Sequence, residues 1–161
     1  MKSRVPWREK LERHEAKVVR IPPRMQKRYG AGTMLIPRPL DVDSLIRQVK
    51  KGQLVTQSQI RERLARDCRA DVTCPITTGI FVRIAAEAAE DDRVNGARIV
   101  TPYWRVVRDD GGLMEKLPGG AKSQAARLKQ EGHQLVAGAG KKPPRVKDFE
   151  KRLVKLSRAK S

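Results

Sequence analysis

Two helical periods joined by a short, proline-marked loop limit this chain more than any other feature of its sequence. Thr56-Gln57-Ser58-Gln59 has the form of a capping box. The Thr56 hydroxyl accepts from the backbone N–H of Gln59, and the Gln59 side chain accepts from the backbone N–H of Thr56. The helix so opened puts Ile60, Leu64 and Cys68 on one face at i, i+4, i+8 and turns Arg61, Arg63 and Arg66 to others. Cys68 therefore reads as a small core residue. Beyond a loop through Asp71 and Pro75, the residues Ile80, Phe81, Ile84, Ala85 and Ala88 form a second buried stripe, with Arg83 and Glu87 facing outward. Thr77 or Thr78 is expected to cap this second helix. Two helices joined by a turn, the second opened by small polar residues, describe a helix-turn-helix.

The flanks supply the rest of a small domain. Asp43 can cap a short helix carrying Leu45, Ile46 and Val49. Gly52 ends that helix, and Lys50 and Lys51 suit its negative C-terminal end. Residues 89–97 read as an acidic loop ending at Asn95-Gly96, followed by short strands at Arg98–Val100 and Trp104–Arg108. Asp109-Asp110-Gly111-Gly112 and Pro118-Gly119-Gly120 are turn signals. Ala121–Glu131 reads as a helix with Ala121, Ala125 and Leu128 inward, stopped by Gly132. The expected fold is mainly α with a small β element: a winged-helix-like helix-turn-helix domain over residues 41–137 with basic extensions at both ends. Residues 1–40, broken by five prolines, are expected to hold a short helix at Trp7–His14 and then an extended arm. Trp7 either anchors that arm or packs as a surface tryptophan. In the basic tail, residues 138–161, Phe149, Leu153 and Leu156 fall at helical spacing, which suits an amphipathic helix docked on the domain or folding on DNA.

Charge points to the partner. The chain carries a formal net charge of +18. Residues 1–40 hold 11 basic and 3 acidic side chains and residues 141–161 hold 9 and 2, whereas the middle is nearly balanced. Basic ends at this density favour phosphate contact. Aromatic residues make up only 4% of the chain, fewer than a protein that stacks single-stranded bases in series would carry. Cys68 and Cys74 lack zinc-site spacing, and His14 and His133 lie far from them, so neither metal nor cofactor is expected. Two cysteines make no disulfide scaffold, the basic N-terminus is followed by no apolar run, and no stretch approaches a membrane span. These features fit a monomer in the cytoplasm, associated with the nucleoid.

Several segments, in one order, resemble the DNA-binding domain of the O6-alkylguanine-DNA alkyltransferases. Lys51-Gly52-Gln53-Leu54-Val55-Thr56 with Gln59-Ile60 resembles the approach to that family's helix-turn-helix. Thr101-Pro102-Tyr103-Trp104-Arg105-Val106-Val107 resembles its active-site segment, Pro-Cys-His-Arg-Val. Gly112-Leu113, Gly119-Gly120 and Gln130-Glu131-Gly132-His133 resemble the segments that follow, so the similarity spans roughly residues 43–135. The resemblance implies duplex binding through the recognition helix, with Gln57, Thr77, Thr78 and Arg83 at the DNA. It implies a base pocket around Tyr103, Trp104, Arg105 and Leu117, with Asn95 and Glu131 as structural links. It also implies that alkyl transfer is lost. Tyr103 stands where the family has its nucleophilic cysteine and Trp104 where it has the histidine. A phenol with pKa near ~10 stays neutral at pH 7, and an indole is no base. In this the chain resembles the inactive alkyltransferase-like proteins, which bind alkylated guanine and recruit excision repair, although those keep the histidine. The two rings either line a base pocket or fill it.

Three functions fit these features: a non-enzymatic duplex-DNA binder acting in damage recognition; a cysteine enzyme whose nucleophile is Cys74, set just before a helix N-terminus; and a general basic DNA- or RNA-binding protein.

Overall fold

The computed structural model describes residues 5–159. In chain order they form α1 (Trp7–Glu12), β1 (Lys17–Arg20), α2 (Pro23–Tyr29), β2 (Thr33–Ile36), α3 (Pro39–Arg47), β3 (Val55–Thr56), α4 (Gln57–Asp67), β4 (Val72–Thr73), α5 (Pro75–Val94), a 3-10 turn at Tyr103–Arg105, β5 (Val106–Val107), α6 (Gly120–Gln130), β6 (Leu135–Val136), β7 (Arg145–Val146) and a second 3-10 turn at Phe149–Arg152. The architecture is mainly α with small β elements, winged-helix-like. The pair α4–α5 is followed by a hairpin in which β6 and β7 run antiparallel. Among the described residues no helix is long and apolar enough to cross a membrane.

Both halves of the capping box at Thr56 and Gln59 form, at 3.1 and 2.9 Å. α3 starts earlier than its expected cap. Pro39 sits in its first turn, where a fixed φ is pre-organised and no N–H is missed. Asp43 instead lies inside the helix, buried, accepting from the Thr101 hydroxyl at 2.6 Å and pairing with Arg47.

The second helix departs further. α5 runs 20 residues, through the segment expected as an acidic loop, and Asn95 is its C-cap. It is buried on several faces, Val82, Ala86 and Ala89 included, because α1 and α3 both pack against it. Ile80, expected in the buried stripe, is 52% exposed. Thr77 and Thr78 do not cap the helix. The Cys74 sulfur does, accepting from Thr77 N–H, and Pro75 opens the first turn.

The ends are not loose arms. β1 pairs antiparallel with β2, and β2 pairs parallel with β4, so residues 17–36 complete a three-stranded sheet with the loop between α4 and α5. Leu11 and Leu35 are buried in the main core with Leu45, Ile46, Ile60, Leu64, Phe81 and Ala85, and Trp7 packs against them as an anchor. The tail is not an amphipathic helix. After its 3-10 turn it runs extended, with Leu153 bridged to Leu54 and Gln59 donating to the Val154 carbonyl at 2.7 Å. Arg98–Val100 is likewise no strand, and Ile99 stands exposed. The alternation of apolar and basic residues at both ends is surface chain pressed against the core, one side in and one side out.

Candidate nucleic-acid interface

α5 presents one open stripe. Ile76, Gly79, Ile80 and Arg83 recur at helical spacing and line a groove of about 1130 Å³. Ile76 is 62% exposed, more than a core-facing isoleucine would be, and a Cβ added at Gly79 would meet nothing within 4 Å. The helix backbone is therefore bare at the centre of the stripe. α1 forms one wall with Trp7 and Lys10; Arg108, Asp109 and the segment from Met114 to Leu117 form the other. Lys10 lies 4.4 Å from the Trp7 ring centroid. Gln57, at the start of α4, directs its amide at the Met114 sulfur, 3.8 Å away, and Leu117 is buried at the groove floor. Asp109 is tied to α4, accepting from the Ser58 N–H at 3.0 Å and from its hydroxyl.

Gln57 and Arg83, expected at the DNA, thus line one groove, together with Leu117, which was expected in the base pocket. Thr78 does not join them. It is fully buried and its hydroxyl donates to the Cys74 carbonyl at 2.7 Å. Thr77 spends its hydroxyl on the Cys74 sulfur at 3.0 Å. The outward positions are those of Ile76 and Ile80, which the reading of the second helix had turned inward or passed over.

The expected base pocket is closed. Tyr103 is 2% exposed, within the main core, and Trp104 meets it edge-on at 5.4 Å between centroids. The Tyr103 hydroxyl donates to Glu90 at 3.0 Å, and Arg127 lies 4.4 Å from the Trp104 ring and 5.4 Å from the Tyr103 ring. Burial first, then the adjoining Glu90 carboxylate, outweigh the Arg127 cation and push the phenol up to about 12. On the other side, Glu131 accepts from Trp104 Nε1 at 3.0 Å and from Arg105 Nη2 at 2.7 Å, while Arg105 Nη1 donates to the Val49 carbonyl at 2.6 Å. Burial alone would raise the Glu131 carboxyl, but the hydrogen bonds from Arg105 and Trp104 hold it below the ordinary carboxylate range. The rings fill the space, and cations close it.

Asn95 stands exposed at the end of α5 and makes no link to this cluster. Glu90 makes it, bonding Tyr103 and pairing with Arg93 and Arg127. Its carboxyl is held low chiefly by the Arg93 hydrogen bond, against burial, with Tyr103 and Arg127 adding to it. Glu90 and Arg127 escaped the sequence reading. Glu90 is signalled only by helical spacing along an α5 longer than expected, and Arg127 only by its place on α6, one turn before Glu131.

No family model matches the chain, and no curated protein sequence matches it. Among solved structures it is similar to S. pombe Atl1 in complex with damaged DNA containing O6-carboxymethylguanine, with a TM-score of 0.49 and 14% identity, over 72% of this chain and 93% of that one.

Cys74, the alternative nucleophile, is buried and packed with Ile21 and Met34, its sulfur engaged by Thr77. His14 stacks on Phe81 and His133 lies buried just past α6, so neither stands beside it as a base. Among the described residues no group of three or more His, Cys, Asp or Glu is placed to hold a metal ion.

Proposed function

We propose that this protein is a non-enzymatic duplex-DNA-binding protein that docks through the outward face of α5. The observation that carries the reading is that face: two exposed isoleucines, a bare glycine and Arg83, on a chain of net charge +18. Apolar side chains beside a cation suit a minor groove, where they wedge between base steps while arginine meets the acceptor-lined floor. Single-stranded binding is less supported, because Tyr103 and Trp104 are committed to the interior and cannot stack on bases. Tyr103, neutral and buried, is no acceptor for an alkyl group.

The finer reading is recognition of alkylated guanine, with excision-repair proteins as partners and a place on the nucleoid. Its support is the sequence resemblance over residues 43–135. Because the rings fill the space at 103 and 104, the extrahelical base is assigned to the groove over Met114 and Leu117, within reach of Gln57. A damaged base costs less to extrude than a well-paired one.

The test is fluorescence anisotropy with a 20-base-pair duplex. At least tenfold weaker binding by Arg83→Glu, at unchanged melting temperature, is expected. Undiminished affinity in that variant, or a wild type that ignores duplex DNA, overturns the reading. Competition between O6-methylguanine and undamaged duplexes decides the finer part.

A further inference from the structure

The groove beside α5 is nearly balanced in charge. Lys10, Arg83, Arg108 and Lys116 face Asp91, Asp109 and Glu115. Such a surface can position bases but cannot supply most of the phosphate neutralisation that duplex binding needs. One side of the groove leads to where that charge lies. Arg108 lines both the groove and a second recess of about 500 Å³, whose other walls include Lys142 and Arg145.

That recess belongs to the β6–β7 hairpin. Its tip, residues 137–144, carries Lys141 and Lys142 and turns back on itself, with Lys142 N–H donating to the Ala139 carbonyl at 3.0 Å. A Cβ at Gly138 would lie 2.2 Å from the Pro143 carbonyl, so the two sides of the tip approach closely enough to require glycine. The base of the hairpin is held to the domain: Leu113 N–H donates to the Pro144 carbonyl at 2.9 Å and Val146 N–H to the Gly111 carbonyl at 3.0 Å. Arg108, Lys141, Lys142 and Arg145 are all exposed, and none takes part in the ion pairs of the described residues. The one carboxylate in the recess, Asp110, accepts from the Gly112 N–H at 2.8 Å.

We infer that the β6–β7 hairpin, with Arg108, is a second element of the DNA-binding surface: it grips backbone phosphates next to the segment that α5 reads. The inference rests on the duplex-DNA reading. The partner is fixed by chemistry: unpaired cations on a shaped, anchored tip, continuous with the groove, suit a run of phosphates along one strand.

The experiment measures duplex affinity across salt concentrations for three full-length proteins: wild type, Lys142→Gln/Arg145→Gln, and Lys155→Gln/Arg158→Gln. The last pair removes the same charge from the extended tail, which crosses α3 and α4 through the Gln48–Ser157 and Asp67–Ala159 hydrogen bonds. At about 0.9 counterions per phosphate contact, the hairpin variant should flatten the log–log slope by about 2 while the tail variant leaves it unchanged. Equal flattening by both variants would reduce the effect to bulk charge and overturn the inference. A hairpin variant that matches wild type, while Arg83→Glu still weakens binding, overturns it too and leaves the α5 reading standing. A wild type that binds no duplex removes both.

Discussion

Replacing Glu131 with glutamine probes the closed ring site most directly. Glu131 and Arg105 keep 9% and 13% of their side-chain exposure, so neither charge is well solvated. The carboxylate bonds the Arg105 fork through two nitrogens and Trp104 through a third. Glutamine preserves the shape and one acceptor oxygen but leaves the Arg105 cation without a counter-charge, with that oxygen and the Val49 carbonyl as its acceptors. Removing one partner of a buried pair costs about 3–5 kcal/mol, and the retained oxygen places this case near the lower end, about 3 kcal/mol. At about 2–4 °C per kcal/mol for a chain of this size, Tm falls by about 6–12 °C at pH 7. The pH dependence has a definite sign. The folded carboxyl titrates below its unfolded value of about 4.3, so its contribution is complete above that pH and is lost as pH falls through the folded pKa. The gap between variant and wild type must therefore narrow below about pH 4. Calorimetry on Glu131→Gln, Arg105→Met and the double variant tests this. The double variant should be more stable than Arg105→Met and Glu131→Gln taken additively, because it buries no orphaned charge. A loss under about 2 °C at pH 7, or additive single variants, would refute the pairing argument.

Tyr103→Phe removes one hydrogen bond from a carboxylate that keeps Arg93 and Arg127, and should cost about 1–1.5 kcal/mol in denaturant unfolding, whereas Tyr103→Ala should cost about 3–5 kcal/mol. DNA affinity of the phenylalanine variant should be unchanged; a loss confined to O6-methylguanine duplexes would place the phenol against a base. Thr56→Ala breaks the capping box that opens α4 and should lower stability by about 1 kcal/mol, while Thr56→Ser should be nearly neutral.

The parts of the fold that were legible are those whose signal is local. The Thr56–Gln59 box states its own hydrogen bonds. The inward Ala121 and Leu128, with Gly132 at φ +92° just beyond α6, follow from helical period and turn chemistry. What was illegible depends on partners distant in sequence. Residues 17–36 look like a basic arm because their strand pairing is with each other and with Val72–Thr73, which lies beyond both α3 and α4. A thiol is a poor acceptor and threonines follow Cys74, so the sequence does not mark it as a cap; both threonines lie inside the first turns of α5, their hydroxyls bonded to the Cys74 sulfur and carbonyl. Ile80 reads as a core residue because apolar residues usually go there, and the sequence carries no mark of an exposed face kept apolar. At the ring site, positions 103, 104 and 131 were named together from the resemblance, but whether the rings opened or filled the pocket turned on Glu90 and Arg127.

That cluster also bears on how α5 is held. A 20-residue helix spans about 30 Å, and its two halves do different things here. The second half is fixed: Arg8 pairs with Asp92 from α1, Glu90 meets Arg127 from α6, and Tyr103 packs beneath. The first half carries the open stripe from Ile76 to Arg83. A helix docked on DNA by its first half transmits any looseness at its second half to the contacts. On the proposed reading, the aromatic rings and their ion pairs orient the stripe from Ile76 to Arg83 without lining it. A cavity at 103 and 104 would remove the packing that fixes the C-terminal half of α5. It follows that substitutions of Tyr103 or Arg127 weaken DNA binding only as far as they loosen the fold, whereas Arg83→Glu weakens it in a protein of unchanged stability.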